Sequence, residues 1–351
     1  MTRTTAALLL ATMAACTRVP DDNPTLTAVD GILVGHYTLS ERPTGCTVIL
    51  ADGLVVAGVA QRGSAPGTRD TDLLQSVNAA NRVDALVLSG GSAFGLDVAT
   101  GVMRWLDEGH GQWFRHPADA VPIVPAAVLI DLWVGGKPSI RPGADCGYRA
   151  AGAASRARVA EGSVGAGAGA TVGKLTGLDR AMKSGIGSAA VTLPDGLRVA
   201  ALAAVNALGD VIDPASGVVV AGARADDGSL RDVRKLLRTG APLQRTRVAE
   251  NTTLAVVATN AHLTKADANR VALMADAGIA RAVTPAHTSA DGDTVFALAT
   301  GQWNGSADVT LIGALAADVL AEAIVRAVRQ ATAVAGIPAA RDLKAPALPR
   351  P

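Results

Sequence analysis

Glu250-Asn251-Thr252-Thr253-Leu254-Ala255-Val256-Val257-Ala258-Thr259-Asn260 is the segment around which the rest of the chain is organised. It spells a short strand rich in β-branched residues that starts abruptly at two hydroxyl side chains, directly after a charged and irregular lead-in. A strand is a rigid mount for a reactive group, and either hydroxyl would change character if the peptide bond before it broke. The residue would then carry an α-amino group, with a reference pKa near ~8, beside its own hydroxyl, so that nucleophile and general base share one residue. An isolated Asn-Thr-Thr otherwise simply starts a core or edge strand, and the residues alone do not choose between Thr252 and Thr253.

Upstream, residues 199–205 form a second apolar strand ending in Asn206, whose amide must find partners, either as a turn residue or as a donor to a developing oxyanion. Between the two strands lies the strongest composition shift in the chain. Charged, irregular sequence runs from Asp213-Pro214 through 224–232 and 234–247 to Glu250, as expected of a mobile segment ahead of a cleavage point. Downstream, Thr264-Lys265-Ala266-Asp267 has the spacing of a capping box and predicts a helix to about Arg281, with Val271, Met274 and Ile279 on its apolar side. Asp291-Gly292-Asp293 then leads into the strand-like residues 294–298. Carboxylates at i and i+2 on a strand share a face and together polarise an amine or hydroxyl, although two aspartates around a glycine also make an ordinary turn. Residues 311–333 form a long Ala-rich helix without evident chemistry.

The run Gly162-Ser163-Val164-Gly165-Ala166-Gly167-Ala168-Gly169-Ala170-Thr171-Val172-Gly173-Lys174 imitates a phosphate-binding loop, but Ala168 and Leu175 stand where that loop needs Gly and Ser or Thr. With Lys183-Ser184-Gly185-Ile186-Gly187-Ser188 it reads as backbone brought close to a substrate or to a second strand. N–H groups about Gly185 and Gly187 are candidate oxyanion donors, with close packing in a sheet the equal alternative. Residues 85–89 read as a buried strand that turns at Gly90-Gly91 into a helix to about Glu108. A serine-hydrolase elbow fails there by one residue, since Phe94 occupies the position of its last glycine, and Ser92 reads as a helix N-cap. Residues 46–50 and 54–59 read as a hairpin around Ala51-Asp52-Gly53. The polar loop 61–72 follows, with arginines able to orient a carboxylate. None of His36, His110, His116, His262 and His287 is singled out by spacing.

With 351 residues, 49% of them hydrophobic and 18% charged, the chain supports a sizeable core and is no candidate for disorder. A net charge of +1 and 3% aromatic residues supply neither the electrostatic footprint nor the stacking platforms of a nucleic-acid binder. Residues 26–351, without linker or repeat, read as one α/β or α+β enzyme domain. Cys46 and Cys146 lack zinc-ligand spacing, no metal or other cofactor is called for, and the two would pair only in an exported chain. Arg3, the apolar run 6–14 and Met13-Ala14-Ala15-Cys16 have the form of a bacterial lipoprotein signal, too short to span a membrane. It would leave Cys16 lipidated at the mature N-terminus, with 17–25 as tether, and the protein periplasmic or membrane-anchored. A misassigned leader would instead leave it cytoplasmic.

Seven separated segments occur in the order found in the DmpA/BapA-type self-processing aminopeptidases. They are Arg62-Gly63-Ser64-Ala65-Pro66-Gly67-Thr68-Arg69, Ser89-Gly90-Gly91-Ser92-Ala93-Phe94-Gly95-Leu96-Asp97, Val121-Pro122-Ile123-Val124-Pro125-Ala126-Ala127, the 162–174 run, Val205-Asn206, Asn251-Thr252-Thr253 through Thr259-Asn260, and Asp291-Gly292-Asp293. The chain resembles that family over residues 26–338. The resemblance implies a four-layer α-β-β-α sandwich like that of the N-terminal-nucleophile hydrolases but differently connected, shared with the ornithine acetyltransferases. It implies a precursor that cuts itself between Asn251 and Thr252, giving an α chain to 251 and a β chain from 252. It selects Thr252 as the nucleophile for the amide or ester of a short peptide or amino-acid derivative, with Asn206 and glycine backbone steadying the oxyanion. Asp291 and Asp293 would assist where the characterised members carry Ser and Glu, and the assembly would be a homo-oligomer of processed heterodimers. Thr252 stands where the best-known members have Ser, and Gly173 where they have a tyrosine. These departures bear on specificity for β-peptides and D-alanine derivatives rather than on self-processing. An acyltransferase of the ornithine acetyltransferase type and a non-catalytic, lipid-tethered binding protein are the alternative readings.

Overall fold

The computed structural model describes residues 23–109, 121–240 and 251–343. The leader with Cys16, His110 and His116, and the charged lead-in 241–250 lie outside them. After Ile32–Thr38 (β1) the chain runs through a single strand of 17 residues, Gly45–Gln61 (β2), then Gly67–Arg69 (β3), Val83–Ser89 (β4), helix Val98–Asp107 (α1), Ala126–Val128 (β5) and helix Ala144–Gly152 (α2). A short pair, Thr171–Val172 (β6) and Met182–Lys183 (β7), precedes Ile186–Thr192 (β8) and Arg198–Asn206 (β9). Asp210–Ile212 (β10), Val219–Ala221 (β11) and helix Val233–Arg238 (α3) come before Thr252–Thr259 (β12). Helices Lys265–Ala275 (α4) and Ala277–Ala282 (α5), strands Val283–Thr284 (β13) and Thr294–Ala299 (β14), and helix Val309–Gln330 (α6) follow.

Strand β2 belongs to two sheets. Its first half pairs with β1 and β4, beyond which lie β5 and β3, while its second half pairs with β14, followed by β12, β9 and β8. Strand β12 runs parallel to β14 and antiparallel to β9.

Side chains alternate across a strand, and here both faces are apolar because both are covered. Leu254, Val256, Leu202, Ala204, Phe296 and Leu298, with Val59 of the same sheet, face Ile49, Leu86 and Leu88 of the other. Their neighbours Ala255, Val257, Ala203, Val205 and Val295 turn outward onto Val271, Ile279, Ile312, Leu320 and Ile324 of α4, α5 and α6. On the opposite side Val48, Leu50 and Val87 pack against Val98, Val102, Cys146 and Ala150 of α1 and α2. The layers are therefore α-β-β-α, the order the resemblance implies. Phe296 is fully buried in the middle of this stack, where truncation to Ala would cost about 3–5 kcal/mol.

Several local readings are corrected. The Ala51-Asp52-Gly53 turn does not reverse the chain. Residues 45–61 are one strand, β1 pairs through Ala51, and the β2–β4 register shifts between Leu50 and Val55. The turn chemistry at Gly53, with φ +99°, makes an irregularity where one strand passes from one sheet to the other. Ser92 is not an N-cap: it begins a 3₁₀ turn, Ser92–Asp97, with Gly91 at the cap and no side-chain capping bond. The capping box at Thr264 and Asp267 forms as read, but the helix breaks at Asp276, where the Ile279 N–H bonds back three residues to the Asp276 carbonyl. The long helix spans Val309–Gln330 and is capped by Asp308.

Cys46 on β2 and Cys146 on α2 form a disulfide across a Cα–Cα distance of 6.2 Å, joining residues 100 positions apart. Among the described residues no helix is long and apolar enough to cross a membrane.

Candidate active site

Thr252 is the first residue of β12, and Asn206, the last of β9, is its direct antiparallel partner. Having the parity of Leu254 and Val256, Thr252 faces the layer between the sheets, at the end of the sandwich. Both side chains are buried. One residue earlier, Asn251 forms a parallel bridge with Asp291. The Thr252 hydroxyl donates to the Asn251 carbonyl oxygen, and the same oxygen accepts the Gly292 N–H at 2.9 Å. Only glycine allows this approach: a Cβ on residue 292 would stand 2.6 Å from the Ala65 carbonyl oxygen and 2.8 Å from the Thr252 hydroxyl oxygen. Loop 61–72 contributes through its backbone, not its arginines. The Ala65 N–H donates to the Asp291 carbonyl at 3.0 Å and the Arg62 N–H to that of Asp293 at 3.2 Å.

Asp291 and Asp293 flank Gly292 but have separate partners. Asp291 Oδ2 accepts the Thr288 N–H at 2.8 Å and its hydroxyl at 2.6 Å. Asp293 Oδ1 accepts the Thr253 N–H at 2.7 Å, while Oδ2 accepts the His287 N–H at 3.2 Å and lies 2.9 Å from His287 Nδ1. Burial, and then the neighbouring charge of Asp293, raises the Asp291 carboxyl above the usual carboxylate range. His287 Nε2 stands 3.1 Å from Asp276 Oδ2 as an ion pair without an aligned hydrogen bond. Asp276 and Asp293 together push the imidazole up to about 10.

Asn206 is tied at both ends. Its Oδ1 accepts the Thr171 N–H at 3.0 Å and Lys174 Nζ at 3.0 Å, and its Nδ2 donates to the Ile130 carbonyl at 3.0 Å. Lys174 Nζ also donates to the Asn206 carbonyl at 2.9 Å, and its charge counteracts the rise at Asp291. The segment carrying Ile130 is anchored by a fully buried pair, Arg42 to Asp131 at 2.9 Å, with the Thr44 hydroxyl and Gly91 N–H also donating to Asp131. Lys183 holds the glycine run from within, donating to the carbonyls of Gly167, Ala170 and Ser184, and its burial lowers it to about 7.

Gly185 and Gly187 meet the packing alternative. A Cβ on Gly185 would lie 2.2 Å from the Gly162 carbonyl oxygen, and one on Gly187 would lie 2.0 Å from that of Ala323 on α6. The glycine N–H that reaches the Asn251 carbonyl is that of Gly292, which the sequence marked only as a turn. Lys174 and His287 were likewise passed over. The first closed an imperfect phosphate-loop pattern, and the second was one of five unremarkable histidines, although Asp276 and Asp293 stand on either side of it in the chain. Among the described residues no group of three or more His, Cys, Asp or Glu is placed to hold a metal ion. An open groove of about 610 Å³, lined by Arg198, Asn260 and Trp303 among others, lies at the far end of β12 and does not include Thr252.

The profile of peptidase family S58 matches residues 24–341. An uncharacterised aminopeptidase of Mycobacterium bovis is 43% identical over 344 residues, which cover 91% of this chain and 97% of that protein. The 6-aminohexanoate-oligomer endohydrolase of a Kocuria species is 29% identical over 314 residues, covering 85% of this chain and 84% of that one. The solved structure of the L-aminopeptidase D-Ala-esterase/amidase of Ochrobactrum anthropi, a variant of the Ntn-hydrolase fold, superposes with a TM-score of 0.65 at 20% identity, over 88% of this chain and 86% of its own.

Proposed function

The chain belongs to peptidase family S58 and is a hydrolase of the aminopeptidase type, and from that premise we propose that it activates itself by cutting before Thr252 and then acts through the freed threonine. The observation that carries this reading is the Asn251 carbonyl, which meets the Thr252 hydroxyl and the Gly292 N–H on one oxygen. The hydroxyl oxygen attacks the Asn251 carbonyl carbon, and the Gly292 N–H stabilises the charge that develops on the carbonyl oxygen. Asp291, whose carboxyl is raised by burial, takes the hydroxyl proton and returns it to the Thr252 nitrogen as the C–N bond breaks, leaving an ester. Water then opens the ester, releasing the Asn251 carboxylate and a Thr252 with a free α-amine. In the mature enzyme that amine takes the hydroxyl proton while Thr252 attacks the carbonyl of a short peptide or of an amino-acid amide or ester. Lys174, bonded to Asn206 and acting on Asp291 through its charge, supplies a buried positive charge to this site.

N-terminal sequencing of the purified protein after a denaturing gel tests the cut: two bands, the smaller starting Thr-Thr-Leu-Ala, are expected, and a single intact band overturns the reading. Release of free acid from an amino-acid p-nitroanilide without an added amine acceptor distinguishes hydrolysis from acyl transfer. We further propose that the protein is an exported lipoprotein anchored at Cys16. The Cys46–Cys146 disulfide supports this, since such bonds persist in oxidising compartments. Labelled palmitate should enter the wild type and not Cys16→Ala, and an unlabelled wild type removes the anchor.

A further inference from the structure

His287 has no part in the steps above, yet it is enclosed by the carboxylates around the nucleophile. We infer that His287 is a positioning residue: its ring, held between Asp276 and Asp293, fixes Asp293 on the Thr253 N–H and leaves Asp291 as the carboxyl that exchanges the nucleophile's proton. The inference rests on the self-processing reading and names a component of the same site.

Three elements converge on this ring. Asp276 comes from the junction of α4 and α5, Asp293 from the turn before β14, and the Thr253 N–H from β12 itself. Both oxygens of Asp293 are occupied, Oδ1 by Thr253 and Oδ2 by the His287 backbone N–H and lying 2.9 Å from Nδ1. Asp293 is thereby a brace on the peptide just after the nucleophile. Asp291, by contrast, accepts only from Thr288 on Oδ2 and sits on the bridge to Asn251. His287 makes its two contacts from a backbone φ of +54°, a left-handed conformation that is uncommon outside glycine and that His, Asn and Asp adopt more readily than other side chains. Asp276 leans on the ring as well: its Oδ2 stands against Nε2, and among the described residues its buried Oδ1 has no hydrogen-bond partner.

The charged groups around the ring are Asp276 on one side, Asp293 with Asp291 on the other, and Lys174 beyond Asp291. An imidazolium between two carboxylates stays charged throughout the neutral range, consistent with its rise to about 10. Its charge offsets that of Asp293 as felt by Asp291. Replacing it by a neutral group therefore raises the Asp291 carboxyl further and delays its ionisation to higher pH.

The test uses the full-length protein as wild type, His287→Asn and Asp276→Asn. Asparagine tolerates the left-handed backbone at 287, and Asp276→Asn weakens the clamp from its other side without touching residues 287 to 293. In His287→Asn the acid limb of the self-cleavage rate, followed on denaturing gels of freshly translated precursor, is expected to move up by about one pH unit. Its self-cleavage rate at pH 7 should fall by up to about tenfold, while the mature enzyme's KM for an amino-acid p-nitroanilide stays within about twofold. Asp276→Asn, which removes a negative charge and leaves the ring protonated against Asp293, should instead move the limb slightly down. Histidine-selective ¹⁵N spectra of the wild type should show one ring still charged at pH 8. A His287→Asn precursor that cuts itself with the wild-type limb, or a wild-type His287 that is neutral by pH 7, overturns the inference while the self-processing reading stands. A wild-type chain that never cuts before Thr252 overturns both.

Discussion

The two ends of β12 are made of nearly the same residues, Asn251-Thr252 at one and Thr259-Asn260 at the other, and they do opposite things. At the far end Asn260 is satisfied: its Oδ1 accepts the Arg198 N–H at 2.8 Å, its Nδ2 donates to the Gly196 carbonyl at 2.9 Å, and a broad groove opens beside it. At the near end, among the described residues, Asn251 Oδ1, Thr253 Oγ1 and Asp276 Oδ1 are buried without hydrogen-bond partners. Natural folds leave few such groups, because each costs about 1–3 kcal/mol, and clusters of them mark places where the chain does chemistry. A satisfied amide beside a wide groove is architecture; a buried, unsatisfied one beside a buried hydroxyl is a candidate reaction centre.

The sharpest attempt to break that contrast is Thr252→Ala. The precursor should remain whole and hydrolysis of an amino-acid p-nitroanilide should fall by about 10⁴-fold or more, whereas efficient cutting in this variant would remove the near end as the reactive one. Lys174→Met should lower kcat by about 10²–10³-fold and slow processing, through loss of the cation bonded to Asn206 and acting on Asp291. Steady-state kinetics together with a processing time course reads both effects. Away from both ends, reduction of the Cys46–Cys146 bond should cost about 2–5 kcal/mol in denaturant melts and leave the position of the cut unchanged. The smallest effect belongs to the far end. Asn260→Ala should lose about 1–3 kcal/mol of stability while still cutting before Thr252, and a processing defect there would mean the two ends are not independent.

The layers were legible because the alternation at 199–205, 254–258 and 294–298 is apolar on both parities, which only a sheet covered on both faces explains. Strand β2 was not legible. Asp52-Gly53 is good turn chemistry, and nothing local reveals that Ile49 and Val59 serve the same inter-sheet core from two different sheets. At the site, the strand start at Thr252 and the paired aspartates could be read from type and spacing. Lys174 and His287 could not, since each acquires its meaning from residues brought in by the fold: Asn206, 32 positions away for Lys174, and Asp276 and Asp293 on either side for His287. Gly292 shows the same limit, because its N–H matters only once the Asn251–Asp291 bridge has formed.

The register of β12 has one more consequence. All eight of its residues, Thr252 to Thr259, pair with β9, and six of them also pair with β14. A cut before Thr252 would leave every one of those β9 pairs in place while assigning the two strands to different molecules. Unfolding of the mature protein would then be a dissociation, and refolding a second-order encounter between two fragments that were made as one. Mature enzyme, once denatured and diluted, should recover slowly and in proportion to its concentration, whereas the uncut Thr252→Ala chain should refold at a rate independent of it. Activation would in this way be a one-way gate for assembly as well as for chemistry.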